Sequence, residues 1–299
     1  MRKLLTANSS EIPFIGLGTF PFQGREMADM IKKAVKTGYR LFDTADDYRG
    51  ETGIGLAIDE LRNEGVCKRE DLFLQTKISD NNAHADEPLI GLYFNSNNPF
   101  MSKHTVKEIV REKVAISLRS MHTSYIDALL IHYPYPEYFV EIWKEMILLK
   151  QEGIVRHIGV SNFHVRHMER LLLETGVSPE INEIYISPIS VKEEVINYCI
   201  HHDCIPMTYS PLMDMHSNRI PSEVFNTIMT SHHKSLAQII LRWNIERGCL
   251  PLPKTRNEAR LKENFSVFDF ELSTDETNDI SALNKNFQYL VESKICPGL

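Results

Sequence analysis

The stretch Ala128-Leu129-Leu130-Ile131-His132-Tyr133-Pro134 decides the fold class of this 299-residue chain. Its first four residues are all apolar, without the alternation of a strand that faces water on one side, which predicts a strand covered on both faces. Helical patterns flank it, over Thr105–Met121 before and Tyr138–Glu152 after. A buried strand between two helices is the repeating unit of a parallel sheet, so we expect an α/β protein.

Seven further apolar runs of this kind occur along the chain, and each predicts a strand. They are Phe14–Leu17, Arg40–Phe42, Leu72–Thr76, His157–Val160, Ile181–Ile184, Ile205–Thr208 and Cys249–Leu252. Further helical patterns lie between them, over Gly53–Glu64, His164–Thr175, Val191–His202, Ser235–Arg247 and Asn257–Phe265. Eight strands that alternate with helices predict a single (β/α)8 TIM barrel.

We expect this barrel to be one domain over residues 1–299, because no linker rich in Pro, Gly or Ser divides the chain. Leu4–Pro13 predicts an N-terminal β-hairpin that covers the bottom of the barrel. A doubly wound open sheet is the alternative fold. It is disfavoured because no Gly-x-Gly-x-x-Gly follows the first strand, and because polar residues end nearly all eight strands instead of gathering at one switch point.

Composition narrows the class of protein. The chain has 33 Lys+Arg against 40 Asp+Glu, a net charge of −7, with 42% hydrophobic residues. These values exclude wholesale disorder and argue against a nucleic-acid partner or an anionic membrane surface. No apolar stretch is long enough to span a membrane, and the N-terminus has no signal-peptide core. The five cysteines are scattered, so we expect a reduced, cytoplasmic protein. We also expect a monomer or a weak homo-oligomer.

Polar side chains end three consecutive strands. Asp43, Lys77 and His132 follow the second, third and fourth runs, and Tyr48 comes five residues after Asp43. A closed barrel would bring them to one rim, where TIM barrels carry their chemistry. A phenol with a pKa near 10 becomes a usable acid or base when a cation lies beside it, and a carboxylate holds that cation. A metal-dependent hydrolase would instead need His and Asp ligands at several strand ends.

Four motifs carry a resemblance to a known family. Gly38–Gly55, Asp127–Pro134, Gly159–Phe163 and Leu252–Asn264 resemble the signatures of the aldo-keto reductase superfamily, in the family's order. The likeness extends from Gly16 to Leu272. It implies a (β/α)8 barrel that uses NADPH (NADP) without a Rossmann domain.

The resemblance also implies catalytic roles. Tyr48 would be the general acid, Lys77 would lower its pKa, and Asp43 would pair with Lys77. His132 would orient the substrate carbonyl and donate a hydrogen bond to the developing alkoxide. The substrate-binding side chains that it implies are Phe20, Asp47, Tyr48, His132 and Tyr133.

Cofactor contacts follow from the same resemblance. The nicotinamide carboxamide would be held by Ser161, Asn162 and Glu183, and Tyr209 would stack on the ring. The pyrophosphate path would pass Ser210 and Leu212. A phosphate on the adenosine 2′-oxygen would meet Lys254, Thr255, Asn257 and Arg260, whose two cations suit a dianion. The remaining expected contacts are Gly18, Thr19, Asp43, Glu263 and Asn264.

The chain departs from the family in a few places. Glu183 stands where a glutamine is usual, and a carboxylate cannot donate a hydrogen bond unless it is protonated. Phe20 replaces a tryptophan of aldose-type members, and Asp47 is a charge where several members are apolar. Residues 79–104 form a long insertion after the third strand, which we expect to shape substrate choice; an oligomer interface is the alternative.

The sequence thus predicts an oxidoreductase that reduces aldehyde or ketone carbonyls to alcohols by hydride transfer from NADPH, with a small-molecule carbonyl as substrate. The alternative is a non-catalytic barrel that binds nicotinamide and senses redox state. The presence of all four predicted catalytic residues disfavours that alternative.

Overall fold

The computed structural model describes residues 3–5, 11–79, 104–135, 138–216, 219–220 and 222–289. Its eight parallel strands follow the order of the chain around a nearly closed barrel. The first and last barrel strands meet where the Gly18 N–H donates to the Pro253 carbonyl at 3.0 Å. A hairpin of β1 (Lys3–Leu5) and β2 (Glu11–Pro13) precedes the barrel. The barrel strands are β3 (Gly16–Gly18), β4 (Leu41–Asp43), β5 (Phe73–Ile78), β6 (Ile126–Ile131), β7 (Val155–Ser161), β8 (Ile181–Tyr185), β9 (Ile205–Tyr209) and β10 (Leu250–Leu252).

The predicted TIM barrel is confirmed, and all eight predicted strands are present. Ten α-helices occur in the described part of the chain: α1 (Gly24–Thr37), α2 (Glu51–Asn63), α3 (Val106–Ser120), α4 (Phe139–Gln151), α5 (Val165–Thr175), α6 (Glu193–His201), α7 (Ser222–His232), α8 (Leu236–Glu246), α9 (Glu258–Phe265) and α10 (Thr274–Ser281). The seven predicted helices match α2 to α6, α8 and α9, whereas α1, α7 and α10 were not predicted.

Helix α3 shows how local sequence determines an element's start. The Thr105 side chain accepts from the Glu108 N–H at 3.2 Å, and the Glu108 carboxylate accepts from the Thr105 N–H at 2.8 Å. This reciprocal capping box satisfies two backbone donors that have no partner inside the helix. It begins α3 immediately after Thr105.

The hairpin packs against the N-terminal end of the barrel, as predicted. Strands β1 and β2 pair antiparallel with Leu4 opposite Ile12. Ile12 is fully buried and belongs to an apolar cluster with residues that begin several barrel strands, among them Leu41, Phe73 and Ile181. The sequence predicts the turn of this hairpin at residues 8–10, which lie outside the described residues.

The barrel interior changes from apolar to charged along strands β4 and β5. Because side chains two residues apart point to the same face of a strand, Phe73, Gln75 and Lys77 of β5 all face inward. The same rule places Leu41 below Asp43 in β4, and Asp43 lies opposite Gln75 in the β4–β5 register. The C-terminal ends of the strands, here called the rim, therefore hold the polar interior.

Two further predictions concern the rest of the chain. Only the end residues Ser79 and His104 of the predicted insertion are described, and residues 80–103 lie outside the described residues. Among the helices that are described, none is both long and apolar enough to span a membrane.

Candidate active site

Lys77 lies at the centre of a buried ionic group at the rim. Its Nζ is 2.5 Å from Asp43 Oδ1 and donates to the Thr44 carbonyl at 3.0 Å. The lysine side chain is fully buried. Burial opposes the charge of the ammonium, but the carboxylates of Asp43 and Glu183 hold the pKa of Lys77 well above its ordinary value. The site therefore contains a permanent, enclosed cation.

Tyr48 is placed beside this cation by a short 3-10 helix, Asp46–Tyr48, that precedes α2. Lys77 Nζ is 5.2 Å from the centre of the Tyr48 ring, and the His132 ring lies 5.7 Å away. Burial raises the pKa of Tyr48, while Lys77 opposes that rise by favouring the phenolate. The phenol is thus protonated at neutral pH, with a cation positioned to stabilise the charge it acquires when it loses its proton.

His132 follows β6 and is buried against Tyr48. Its Nδ1 lies 2.7 Å from Ser79 Oγ and 3.6 Å from Asp47 Oδ1, and its ring stacks on Tyr133 at 4.6 Å. Burial and the Lys77 charge lower the pKa of His132 well below its ordinary value. A neutral imidazole can donate from only one nitrogen, so the partner on Nδ1 determines what Nε2 can do.

Glu183 belongs to the same ionic group. Its Oε1 is 3.3 Å from Lys77 Nζ, and its Oε2 accepts from the Gln75 amide at 2.7 Å. The Gln75 amide also donates to Asp43 Oδ1 at 2.8 Å. We call Asp43, Gln75, Lys77 and Glu183 the Lys77 cluster. The predicted contact of Glu183 with the carboxamide stays a prediction.

Gln75 and Ser79 are site residues that the sequence analysis missed. Gln75 lies two residues before Lys77 on the inward face of β5, and Ser79 lies two residues after it. Their two-residue spacing from Lys77 could have identified them, because side chains two residues apart point to the same side of a strand.

The residues predicted to hold the nicotinamide lie on neighbouring strand ends. Asn162 donates to the His132 carbonyl at 3.1 Å and accepts from the Tyr209 hydroxyl at 2.9 Å. Ser161 donates to the Glu183 carbonyl at 3.0 Å. Thr19 donates to the Asp43 carbonyl at 2.8 Å, next to Gly18 at the end of β3. These contacts place the predicted nicotinamide residues beside the Tyr48–His132 pair.

A cavity of about 520 Å³ lies between the loop after β9 and the start of α9. Seven predicted cofactor contacts line it: Ser210, Leu212, Lys254, Thr255, Arg260, Glu263 and Asn264. The side chains of Lys254 and Arg260 are exposed, and neither forms an ion pair in the described part of the chain. Asn257 is not among the lining residues; its side chain accepts from the Arg260 N–H at 3.1 Å and caps α9. Two unpaired cations make the cavity suited to an anionic group.

The predicted substrate residues surround Tyr48. The Phe20 ring is 56% exposed and packs 5.0 Å from the Tyr48 ring. Asp47 lies beside His132, where burial and the neighbouring Asp46 raise the pKa of its carboxyl to about 6. Among the described residues, no three or more His, Cys, Asp or Glu side chains are placed to hold a metal ion.

Comparisons with known proteins agree with this geometry. The model of the Aldo/keto reductase family matches residues 14–285. The glyoxal reductase of Bacillus subtilis is 35% identical, with 93% of this chain and 91% of that protein covered. The methylglyoxal reductase of Escherichia coli O157:H7 is also 35% identical, with 92% of this chain and 90% of that protein covered.

Solved structures show the same likeness. The structure of a Bombyx mori aldo-keto reductase in complex with NADP superposes with a TM-score of 0.82 at 28% identity, covering 98% of this chain and 95% of that one. The structure of the aldose reductase of Schistosoma japonicum gives a TM-score of 0.84 at 28% identity, covering 99% of this chain and 96% of that one. With its barrel, its rim residues and these relatives, the chain belongs to the aldo/keto reductase family of oxidoreductases.

Proposed function

We propose that the protein reduces aldehyde or ketone carbonyls to alcohols with NADPH, and that Tyr48 is the proton donor. The observation that carries the proposal is the placement of Tyr48 between a buried ammonium, Lys77, and a neutral imidazole, His132. A protonated phenol beside a fixed cation is suited to donate a proton to an oxygen that becomes negative.

The residues present fit the cofactor. The cavity with Lys254 and Arg260 offers two cations for a 2′-phosphate, and the rim carries amide and hydroxyl groups from Asn162 and Ser161 for a carboxamide. When bound, NADPH would supply the hydride for the carbonyl carbon. The protein's contribution is to hold the carbonyl and to provide the proton.

The proton would move from the Tyr48 hydroxyl to the carbonyl oxygen, which leaves a phenolate. Lys77 stabilises that phenolate because its ammonium is held beside the ring and cannot be screened by water. Asp43 keeps the ammonium in place at 2.5 Å. His132, which is neutral, would donate to the carbonyl oxygen and orient it before the transfer.

A carbonyl panel with NADPH, and with NADH in parallel, tests the proposal by loss of cofactor absorbance. The panel should begin with glyoxal and methylglyoxal, because two relatives at 35% identity are named reductases of these compounds. We expect turnover of at least one small aldehyde, and loss of that turnover in Tyr48→Phe. NADPH binding without turnover of any carbonyl would favour the non-catalytic, redox-sensing alternative.

A further inference from the structure

Two carboxylates, rather than one, face the buried ammonium of Lys77. Asp43 Oδ1 lies 2.5 Å from Lys77 Nζ on one side, and Glu183 Oε1 lies 3.3 Å from it on the other. Both acid side chains are at most 5% exposed. Since a buried charge needs a partner, one ammonium here serves two acid groups, whose negative charges repel each other when both are ionised.

Gln75 connects the two carboxylates. Its amide nitrogen donates to Asp43 Oδ1 at 2.8 Å and to Glu183 Oε2 at 2.7 Å. Its buried oxygen has no hydrogen-bond partner in the described part of the chain. Turning the amide over would place that oxygen against both carboxylates, so the two acids determine its orientation. The unpaired oxygen costs about 1–3 kcal/mol, which the two contacts with charged groups offset.

We propose that Glu183 is a positioning residue for Lys77, sharing its ammonium with Asp43 across the Gln75 bridge. The inference rests on the proposed function, in which Lys77 serves Tyr48. Glu183 then acts on the reaction through the lysine, and its contacts explain why a carboxylate occupies this position. A glutamine there would be neutral and would leave Asp43 as the partner of the cation.

The charge of Glu183 has a predictable effect on Tyr48. Burial and Asp43 raise the pKa of Glu183 well above its ordinary value, and Lys77 opposes this rise. Once ionised, Glu183 adds a negative charge that disfavours the Tyr48 phenolate. The titratable groups that face the cluster from the surrounding elements are Asp43 on β4, Lys77 on β5, Asp47 and Tyr48 on the 3-10 helix, His132 after β6 and Tyr209 on β9.

Glu183→Gln tests the proposal because it removes the charge and keeps the shape. Without that charge the phenolate forms more easily, so the alkaline limb of the kcat/KM profile for reduction should move to lower pH by at least about half a unit. Glu141→Gln, which removes an exposed carboxylate on α4, should leave the profile unchanged. An alkaline limb that does not move in Glu183→Gln overturns the proposal, whatever happens to NADPH affinity.

Folding stability gives a readout that needs no turnover. Because the folded state raises the pKa of Glu183, it binds the proton more tightly than the unfolded chain, whose glutamates titrate near 4.3. Glu183 therefore stabilises the fold least at high pH, and the Tm of Glu183→Gln relative to the unmodified protein should rise between pH 5 and pH 8. The rise should be larger when Lys77 is replaced as well, in Glu183→Gln compared with Lys77→Met alone, because Lys77 opposes the raised pKa of Glu183. An equal rise with and without Lys77 contradicts the shared ammonium. If no carbonyl is reduced, the proposed function fails while this measurement still decides the role of Glu183.

Gln75→Leu provides a second variant that keeps both carboxylates. Loss of the two donated hydrogen bonds should raise the pKa of Glu183 further, since those bonds favour its charged form. The alkaline limb should then move in the same direction as in Glu183→Gln. In the double variant, Gln75→Leu should add less to this shift than it does alone, because the bridge has already lost one anion. Fully additive shifts would count against the bridge.

Discussion

The hydroxyl of Ser79 lies 2.7 Å from Nδ1 of His132, at the point where β5 leaves the barrel. Both side chains are buried. A neutral imidazole carries one proton, so a hydroxyl that donates to Nδ1 leaves that proton on Nε2. The proposed reduction requires this tautomer, because only a protonated Nε2 can donate to the substrate oxygen. We therefore expect Ser79 to select the useful form of His132.

Ser79→Ala should lower kcat by about tenfold, which corresponds to the loss of one hydrogen bond of about 1.4 kcal/mol. NADPH affinity, measured by fluorescence titration, should change little, since the partners of the Ser79 side chain are His132 and Asp47, neither of which is a predicted cofactor contact. Ser79→Thr retains the hydroxyl and should recover most of the rate. Equal rates in the Ala variant and the unmodified protein would show that the tautomer does not depend on this contact.

Tyr48→Phe should reduce kcat by 10²–10⁴-fold, the usual effect of removing a proton donor. The ring and its packing against Phe20 remain, so NADPH affinity should stay within a few-fold. Tyr39→Phe is the matched control: Tyr39 is also buried, and its hydroxyl donates to the Leu261 carbonyl at 3.3 Å, away from Lys77. The kcat of this control should stay within about twofold of that of the unmodified protein. Near-normal turnover in Tyr48→Phe would exclude the proposed mechanism.

The fold could be predicted from the sequence because buried parallel strands consist of short apolar runs. The unpredicted helices have weaker patterns. Helix α10 buries only Ile280, and α7 contains many Ser, Thr and Asn residues. Helix α1 does bury Met27, Met30, Ile31 and Ala34 at helical spacing, but its charged residues and its start at Gly24 obscure that pattern.

The four predicted catalytic residues could be picked out from the sequence because each is a chemically distinctive residue at a strand end or beside one. Gln75 was not, because a neutral amide inside an apolar run gives no indication of its partners. Its contact with Glu183 joins positions 108 residues apart. The geometry of the closed barrel brings them together, and the sequence of either strand alone does not specify that approach.

We expect Asp47 to make folding stability depend on pH. Burial and Asp46 raise the pKa of its carboxyl from 3.8 to about 6. The folded state thus holds the proton more tightly than the unfolded chain, and the contribution of Asp47 falls as pH rises from about 4 to about 6. Asp47→Asn should therefore be more stable than the unmodified protein at pH 7.5, by on the order of 2 kcal/mol, with little difference at pH 4.

Denaturant unfolding at both pH values measures this difference. Asp29→Asn, at an exposed position on α1, is the control and should show no comparable change between pH 4 and pH 7.5. If Asp47→Asn is equally stable relative to the unmodified protein at the two pH values, the carboxyl of Asp47 titrates alike in the folded and unfolded states.

Cofactor choice should depend on the two exposed cations of the cavity, Lys254 and Arg260. Each charge-assisted contact with a 2′-phosphate contributes about 1.5–3 kcal/mol, so NADPH should bind one to three orders of magnitude more tightly than NADH. Arg260→Ala should remove much of that difference by weakening NADPH alone. The cap of α9 should persist, because Asn257 accepts from the backbone N–H of residue 260 and not from its side chain.

Arg256→Ala separates a specific contact from a general loss of positive charge. Arg256 lies close in sequence to both cations, but its guanidinium donates to Glu26 and it does not line the cavity. In this control the preference for NADPH over NADH should stay within about threefold of that of the unmodified protein, because an exposed ion pair contributes little. Fluorescence titration of the unmodified protein and of both variants with each cofactor gives the six affinities required. Equal affinity of the unmodified protein for NADPH and NADH would refute the assignment of this cavity to the 2′-phosphate. An equal loss in Arg256→Ala and Arg260→Ala would show that the cations attract the cofactor only through their long-range field.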